Sequence, residues 1–292
     1  MTVTKEQSLK EAYLYCHVLT KREARNFYFA FLTLPKQQRF SIYAVYAFAR
    51  IADDIADGEN STDQKKFLLN QLRLDLHSAI SGHASGLVLL ALADVIANFN
   101  IDSKLFDQLI DGVEMDLVDK RYRTFDDLCV YCYHVASVIG LISIEIFGYR
   151  DERAKQAAKD LGIAMQITNI LRDLQEDMLT GRVYLPLEDL EFYEYSEKEL
   201  ANSITNKNFY ELMRFETSRA RRFYDSGSEL FQYIDPRSRA CVSVLHGLYL
   251  RLLNRLENRN FQVFGEKIKL SSREKIMVMI KLWITSFLIK YR

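Results

Sequence analysis

Only 3 prolines interrupt the 292 residues of this chain, and glycine occurs only 11 times. Both residues form the turns that separate short strands, and soluble proteins contain about 5% proline and about 7% glycine. A chain with so few turn-forming residues cannot make many short strands, so an all-β fold is disfavoured. Scarce glycine also argues against a dinucleotide-binding fold with a glycine-rich loop. Long helices are the prediction that remains.

Hydrophobic spacing predicts helices over nearly the whole length of the chain. Residues 36–57 form a mostly apolar stretch that stops at Gly58, and residues 124–147 are apolar almost throughout, which predicts a central helix buried on all sides. The predicted helices, of which the first range holds one or two, are 4–33, 36–57, 62–80, 86–98, 102–119, 124–147, 151–180, 206–230, 236–258 and 271–290. We see no linker and no internal repeat. The sequence therefore predicts a single all-α domain over residues 1–292, with roughly ten helices around a central apolar cavity or core.

Charge and composition narrow the class of protein. The chain carries 39 basic and 39 acidic side chains, and this balance argues against a nucleic-acid binder that relies on a broad basic surface. The first residues show no apolar signal segment, and 4 cysteines are too few for a disulfide framework, which predicts a cytoplasmic protein with reduced thiols. The longest apolar run, 276–289, is too short to span a membrane and contains Lys281. It is predicted to pack on the core, and loose contact with a membrane surface is the alternative.

The first unusual cluster is acidic and lies at the end of an apolar helix. Asp53 and Asp57 are four residues apart, so both carboxylates lie on one face of the predicted helix. Like charges at this spacing repel each other, and the apolar segment 40–49 just before them predicts partial burial. The pair therefore costs stability unless a cation lies between the two carboxylates.

A second acidic pair repeats this pattern on a later helix. Asp173 and Asp177 have the same spacing, and Asn169 extends their face by one turn. If the two helices face each other, four carboxylates converge, and such oxygen ligands suit Mg²⁺, which retains water and bridges to substrate phosphates. Arg50 and Arg172 lie close to the pairs and are suited to bind phosphate oxygens. One such pair is usually a solvated face, but two pairs with adjacent arginines on apolar helices favour a functional site.

A third acidic run lies on the predicted helix 102–119. Its members are Asp111, Glu114, Asp116 and Asp119. We interpret this run as the solvated face of the helix, which is the usual place for charged residues on a surface helix.

In their order along the chain, these motifs resemble the squalene/phytoene synthase family, the head-to-head prenyl synthases. The resemblance extends from about residue 10 to residue 270, and it is specific because several motifs coincide. The matching segments are Leu34-Pro35 with Gln38-Arg39, Asp53-Asp54-Ile-Ala-Asp57, Tyr131-Cys-Tyr133-His-Val135-Ala136 with Gly140, Asn169-Ile-Leu-Arg172-Asp173-Leu-Gln-Glu176-Asp177, and Gly181-Arg182-Val183-Tyr184-Leu185-Pro186.

The resemblance implies an all-helical isoprenoid-synthase fold in which two aspartate motifs hold Mg²⁺ at the mouth of an apolar tunnel. The residues that it assigns to the metal site are Asp53, Asp57, Asn169, Asp173 and Asp177. The residues that it assigns to the diphosphate and to the ionising carbon are Arg50, Arg172, Tyr46, Tyr131 and Tyr249. The residues that it places along the substrate are Val135, Ala136, Gly140 and Gln166.

Two segments depart from the pattern of the family. Where the family often has Ser-x-Ser-Phe on its first helix, this chain reads Ala24-Arg25-Asn26-Phe27. Asn26 can still donate hydrogen bonds and Arg25 adds a positive charge, so both remain candidates for substrate binding. Late in the chain, the family often has an arginine where this chain has Lys267, and lysine binds phosphate as a point charge rather than as a fork.

The resemblance implies a Mg²⁺-dependent enzyme that joins two prenyl diphosphates 1′-1 through a cyclopropylcarbinyl diphosphate. The product would be of the squalene, dehydrosqualene or phytoene type. Phe27 and Phe31 lie on one helical face and Tyr43 lies on the next helix, so their rings would shorten a tunnel and favour farnesyl over geranylgeranyl diphosphate. No nucleotide motif is visible, so the use of NADPH stays open.

Two alternatives remain beside this function. An enzyme that starts from preformed presqualene diphosphate in hopanoid biosynthesis would have the same fold, and the altered segment 24–26 favours it. A non-catalytic helical assembly protein is the other alternative, although it gives no reason to keep two repulsive carboxylate pairs. The expected partners are prenyl diphosphates and not nucleic acids, and the chain is expected to be a monomer or a weak homodimer.

Overall fold

The computed structural model describes residues 5–24, 27–118 and 121–286. Over these residues the chain forms fifteen α-helices and one π-helical segment. Pairing of the β type is limited there to two isolated bridges, one between Arg121 and Val183 and one between Tyr149 and Ile234. The prediction of an all-α fold is confirmed.

The helices are numbered in chain order. Those of the first half are α1 (Lys5–Glu23), α2 (Phe27–Phe31), α3 (Lys36–Asp57), α4 (Thr62–Ile80), α5 (Leu87–Phe99), α6 (Lys104–Met115), α7 (Phe125–Cys132) and α8 (Val138–Phe147). Those of the second half are α9 (Arg153–Leu179), α10 (Leu187–Phe192), α11 (Glu197–Ala201), α12 (Lys207–Gly227), α13 (Leu230–Tyr233), α14 (Pro236–Asn258) and α15 (Ser272–Ser286). The π-helical segment, Tyr133–Ser137, joins α7 to α8 into one central helix.

Helix boundaries agree best with the prediction where the sequence has a clear start or stop. Helix α3 covers the predicted residues 36–57, between Pro35 and Gly58, and α4 begins at a capping box formed by Ser61 and Gln64. The structure has more helices than the sequence predicts, because the short helices α2, α10, α11 and α13 fill segments that the prediction gives to loops or to the ends of longer helices. The parts of the predicted helices that lie outside the described residues are residues 4, 25–26, 119 and 287–290.

Helix α9 packs closely against both α12 and the π-helical segment. Glycine permits both approaches, because a Cβ atom on Gly162 would lie 2.7 Å from Cα of Ser137, and one on Gly227 would lie 2.8 Å from Cα of Leu161. Buried side chains from α1 to α15 join one continuous apolar core. This core supports the prediction of a single domain over residues 1–292, which stays a prediction.

The central helix differs in two ways from the predicted helix buried on all sides. Its first turns reach the surface, where Val130 is 54% exposed. Its middle is π-helical, and Val135 and Ala136 of that segment line a cavity. A π-helical turn within an α-helix is frequently found at functional sites. Composition could not reveal this difference, because a cavity wall is as apolar as a packed core.

One described stretch, Phe125–Phe147, has the length and the mean hydropathy, 1.7, of a membrane-spanning helix. Half of its most apolar window is buried inside the protein. The core helix of a water-soluble protein meets the same two criteria, so this stretch is weak evidence for a membrane span.

Candidate active site

A mostly apolar cavity of about 410 Å³ lies between α2, α3, α6, the central helix, α9 and α14. Many of the residues that the sequence singled out line it, although they come from distant parts of the chain. They are Phe27, Phe31, Tyr46, Asp53, Tyr131, Val135, Ala136, Gly140, Gln166, Asn169 and Tyr249. The fold therefore brings the predicted aromatic, substrate and metal residues to one place.

The cavity has an apolar end and a polar end. Along α3 its wall runs from Ile42 through Tyr46 to Asp53, which is a rise of about 16 Å in an α-helix. Its charged lining residues are Asp53 and Asp116. The negative charge of Asp116 helps to raise the pKa of Asp53, so the two carboxylates lie near each other. Acidic groups thus gather at one end of a space that is otherwise suited to apolar chains.

The first carboxylate pair consists of Asp53 and Asp57 on α3. Asp53 is exposed at the cavity mouth, yet desolvation by the surrounding protein and then the charge of Asp57 raise its pKa to about 6. Arg50 is directed to another carboxylate, with its Nη2 2.5 Å from Oδ1 of Asp54. Nη2 of Arg182 lies 4.0 Å from Oδ1 of Asp57. The protein's own cations therefore neutralise this pair only weakly.

The second pair consists of Asp173 and Asp177 on α9. Nε of Arg172 donates to Oδ1 of Asp173 at 2.8 Å, and Nζ of Lys267 lies 3.2 Å from the same oxygen. Lys267 also pairs with Glu176. Burial and then the charge of Asp173 raise the pKa of Asp177 to about 7. The two carboxylates of this pair therefore differ in their surroundings. Asp173 is paired with cations, whereas Asp177 has a raised pKa because burial and the charge of Asp173 disfavour its charged form.

Asp116, just after α6, connects the two pairs. Its carboxylate accepts hydrogen bonds from Oη of Tyr184 at 2.7 Å and from Oη of Tyr131 at 3.1 Å. Its charge helps to raise the pKa of both Asp53 and Asp177. The two carboxylate pairs therefore belong to one electrostatic site at the polar end of the cavity.

The interpretation of Asp116 as part of a solvated face is wrong. Asp116 follows Leu109 and Val113 at helical spacing, so it continues the apolar stripe of α6 that lines the cavity, whereas Asp111 is exposed. The sequence does contain a signal for the position of Asp116, which is an acidic residue on an otherwise apolar stripe of a helix. Asp119 lies outside the described residues.

Arg182 and Tyr184 also belong to the site, although sequence analysis assigns them no role. They follow α9 in a loop that turns back, where the backbone N–H of Arg182 donates to the carbonyl of Asp177 at 2.8 Å. The only signal was that the segment 181–186 matches the family. The position of a loop side chain depends on how the loop folds back, which local sequence does not determine.

Aromatic rings surround the polar end of the cavity. The ring of Phe27 lies 5.8 Å from that of Tyr249 and 6.5 Å from that of Tyr46, between ring centroids. Tyr131 stacks on Tyr184 at 5.0 Å. Burial raises the pKa of Tyr46 to about 12, so this phenol stays neutral. Neutral ring faces of this kind attract a cation held over them.

The donor set fits a hard cation such as Mg²⁺. Oδ1 of Asn169 is buried without a hydrogen-bond partner, and a cation would satisfy it. The raised pKa values of Asp53 and Asp177 mark carboxylates whose repulsion a cation would relieve. In the part of the chain that the structure describes, no three acidic, histidine or cysteine side chains are close enough to enclose an ion. Water and substrate oxygens would therefore complete the coordination, as is usual for Mg²⁺.

The remaining residues predicted to bind substrate do not all lie in one place. Arg25 and Asn26 lie outside the described residues, so their role stays a prediction. Gly140 lines the cavity wall at a place where a Cβ atom would lie 2.9 Å from the carbonyl oxygen of Ala158. Lys267 lies at the mouth, in contact with the second carboxylate pair.

Comparison with known families identifies the kind of protein to which this site belongs. Residues 20–274 match the squalene/phytoene synthase family. The chain belongs to this family. A phytoene synthase of Arthrospira platensis is 35% identical over 282 residues, which cover 92% of this chain and 91% of the relative. A phytoene synthase of Mycobacterium tuberculosis is 36% identical over 273 residues, which cover 92% of this chain and 90% of the relative.

Solved structures support membership of the squalene/phytoene synthase family. A dehydrosqualene synthase in complex with a ligand superimposes with a TM-score of 0.88 at 31% identity, covering 98% of this chain and 99% of that chain. A squalene synthase of Alicyclobacillus acidocaldarius gives a TM-score of 0.83 at 26% identity, covering 88% and 97% respectively. The chain is therefore an enzyme of the prenyltransferase type. The alternative of a non-catalytic assembly protein is not supported.

Proposed function

We propose that this enzyme joins two prenyl diphosphates head to head, 1′-1, through a cyclopropylcarbinyl diphosphate. The observation that carries the proposal is an apolar cavity that ends at two carboxylate pairs linked by Asp116. Apolar walls suit the prenyl chains, because these chains lose contact with water on binding. Carboxylates and cations at the other end suit the diphosphate groups.

Ionisation is the step that the polar end is built to assist. Loss of diphosphate from an allylic carbon leaves an anion and a carbocation. The guanidinium groups of Arg172 and Arg182 would hold the leaving anion, since arginine forms paired hydrogen bonds to phosphate oxygens. Bound Mg²⁺, with ligands from Asp53, Asp57, Asn169, Asp173 and Asp177, would supply further neutralisation of the diphosphate charge.

The carbocation requires stabilisation without water. The faces of Tyr46 and Tyr249 near the polar end would each contribute about 0.5–2 kcal/mol by cation–π interaction. The apolar walls exclude water, which would otherwise trap the carbocation as an alcohol. Both tyrosines line the cavity, and Tyr249 is 3% exposed. These two residues therefore support a reaction through carbocations.

Different observations favour a shorter and a longer prenyl substrate. Phe27 and Phe31 line the cavity, which supports the prediction of farnesyl diphosphate. Tyr43 is buried behind Phe31, with ring centroids 6.2 Å apart, and so acts on the cavity only through that ring. The relatives named phytoene synthase favour geranylgeranyl diphosphate and a phytoene-type product as the second candidate.

Incubation with each substrate tests the proposal. Purified enzyme is given farnesyl or geranylgeranyl diphosphate with Mg²⁺, or with excess EDTA, and the products are identified by chromatography and mass spectrometry. We expect a cyclopropyl diphosphate or a hydrocarbon with Mg²⁺ and neither with EDTA. Full activity in EDTA would contradict the metal requirement. Parallel reactions with and without NADPH identify whether a reductant is used.

Preformed presqualene diphosphate provides the matched comparison. If the enzyme consumes this intermediate but neither prenyl diphosphate, the hopanoid alternative is correct and the condensation proposal is wrong. Ala24 and Asn26, which replace the usual serines, and Arg25 between them would then be the first residues to change. A cytoplasmic location and a monomer or weak homodimer stay predictions.

A further inference from the structure

The last described helix, α15, leaves an apolar stripe uncovered. Ile276, Met277, Ile280 and Ile284 are between 40% and 60% exposed. Their spacing places them on one side of the helix. The opposite side packs on the protein, where Val278 is buried and reaches α14. Isolated exposed apolar residues are ordinary, but a continuous stripe of four on one helix marks an interaction surface.

Positive charge borders this stripe. Arg273 and Lys281 are exposed on α15 itself. Beside it, a groove of about 490 Å³ on α14 is lined, in the part of the chain that the structure describes, by three arginines and two asparagines. Glu274 pairs with Arg255, and Glu266 lies 3.8 Å from Arg259, so Arg251 carries most of the positive charge that is not neutralised. The lining residues are Arg251, Asn254, Arg255, Asn258 and Arg259. Because Arg255 pairs with Glu274 in the first turn of α15, the groove and the stripe adjoin each other.

Helix α15 also lies behind a wall of the cavity. It packs against α14 and α2. These two helices contribute Phe27, Phe31, Val242, Leu245 and Tyr249 to the cavity lining. Whatever binds the stripe therefore lies one helix layer away from the space proposed for the prenyl chains.

We propose that α15 docks the enzyme on an anionic phospholipid surface. The stripe enters the boundary between head groups and acyl chains, and the groove on α14 receives lipid phosphates, as in amphipathic helices that lie in a membrane interface. A bilayer accounts for the apolar stripe and the adjoining cationic groove together. The exposed parts of these side chains total on the order of a few hundred Å², which is less than the roughly 800 Å² per partner of a stable dimer. Docking goes beyond the proposed reaction, and it would let apolar chains pass between bilayer and cavity over a short distance.

The single tryptophan of the chain makes the first test direct. Trp283 lies on α15 and is 46% exposed, so tryptophan emission reports on this helix alone. Vesicles of phosphatidylcholine with phosphatidylglycerol are added to the full-length enzyme, and the same vesicles are made with brominated acyl chains. We expect a blue shift and quenching by bromine with the anionic vesicles. Unchanged emission would overturn the proposal, as would equal binding to vesicles of phosphatidylcholine alone.

Charge and apolar variants provide the second test, by vesicle sedimentation. The double variant Ile280→Asp with Ile284→Asp should bind at least about tenfold less, whereas Phe67→Asp with Leu74→Asp, an equal change at exposed residues of α4, should bind like the wild type. Arg251→Glu should weaken binding about fivefold or more, and Lys66→Glu on α4 should not. An equal loss in a variant and its control would contradict the proposal.

The test separates docking from catalysis and from dimerisation. With substrate dispersed in detergent, the α15 variants should turn over like the wild type, so a failure of docking and a failure of the proposed reaction are distinguishable. Size-exclusion chromatography without lipid provides the remaining arm. A wild-type dimer that becomes a monomer on Ile280→Asp with Ile284→Asp would show that the stripe binds a second copy, and docking on lipid would be wrong.

Discussion

Asp53 and Asp57 repel each other across one turn of α3, and the charge of the nearby Arg50 relieves Asp53 only in part. Arg50 binds Asp54 instead, and Arg182 approaches Asp57 only to 4.0 Å. Residues retained in a destabilising arrangement are usual at sites that need them for function. The stability that the metal-free protein loses through this repulsion therefore provides a way to test the role of these carboxylates.

Replacing one carboxylate should separate activity from stability. In Asp53→Asn or Asp173→Asn, we expect turnover to fall by about 100-fold or more, because stabilisation of the leaving diphosphate is lost. Asp53→Asn should unfold at the same temperature as the wild type or a higher one at neutral pH, because one repulsive charge is gone. Steady-state kinetics and thermal unfolding measure the two effects, with Asp75→Asn on α4 as the control. A clear loss of stability in Asp53→Asn would contradict the role assigned to the pair.

Phe31 tests whether an aromatic ring limits chain length. In Phe31→Ala, the ratio of geranylgeranyl to farnesyl diphosphate used should rise, because the cavity gains space at a lining position. The same change costs about 3–5 kcal/mol in a core. Phe48→Ala is the matched control, since Phe48 on α3 is buried like Phe31 but packs on Phe106 of α6. Phe31→Leu keeps the test informative if both alanine variants unfold. An unchanged substrate ratio would show that Phe31 does not set chain length.

At the scale of elements, close helix contacts hold the cavity wall in place. The central helix is approached by α9 at Gly162 and by α6 at Gly112, where a Cβ atom would lie 2.9 Å from Cβ of His134. Both contacts fall on or beside the π-helical segment Tyr133–Ser137. The segment that supplies Val135 and Ala136 to the cavity is thus held from two sides.

Two glycine variants should differ because their neighbours differ. In Gly162→Ala, the new methyl group would meet backbone atoms of Ser137, which cannot move without displacing a helix. In Gly247→Ala, it would meet the end of the Leu282 side chain, which can rotate away. We expect Gly162→Ala to lose about 1–3 kcal/mol of unfolding free energy and Gly247→Ala to lose less. Chemical denaturation of both variants compares them, and equal losses would contradict this account of the contact.

At the scale of the whole molecule, the acidic site should make stability depend on pH. Asp53 and Asp177, with pKa values of about 6 and about 7 in the folded protein, bind protons more tightly than in the unfolded chain, where the value is about 4. Their contribution is therefore fully present below about pH 4 and is lost as the pH rises through the folded values. In metal-free buffer, the unfolding temperature should fall over this range.

Variants of Asp53 and Asp177 separate the contribution of these two carboxylates to pH-dependent stability from the contributions of other groups. Burial also raises the pKa of Glu216 and gives a slope of the same sign, so the informative quantity is the difference from the wild type. Asp53→Asn and Asp177→Asn should each have a flatter dependence and should converge on the wild type in acid. Mg²⁺ should flatten the wild-type dependence by favouring the charged carboxylates. A difference in stability between the wild type and Asp53→Asn or Asp177→Asn that stays constant between about pH 4 and about pH 7 would contradict the assignment.

The helices and most cavity residues could be predicted because their signals are local or repeated. The i, i+4 spacing of Asp53 and Asp57 fixes a helical face whatever the rest of the fold does, and Pro35 and Gly58 fix the ends of α3. Arg182 shows the limit of such reasoning. Arg182 and Asp57 are more than one hundred residues apart in sequence, and they meet only because the loop after α9 folds back toward α3.

The balance of charge at the polar end of the cavity governs the order in which ligands can occupy it. Among the residues that the structure describes, five aspartates at this end face four cations. The aspartates are Asp53, Asp57, Asp116, Asp173 and Asp177, and the cations are Arg50, Arg172, Arg182 and Lys267. Two of these cations are also engaged by Asp54 and Glu176. A prenyl diphosphate arriving without a metal therefore meets net negative charge and is repelled. With Mg²⁺ bound as proposed, metal and diphosphate would each increase the affinity for the other by the same factor. For an inhibitor that imitates diphosphate we therefore expect no fixed potency, because its apparent dissociation constant would follow the free Mg²⁺ concentration of the compartment in which it acts.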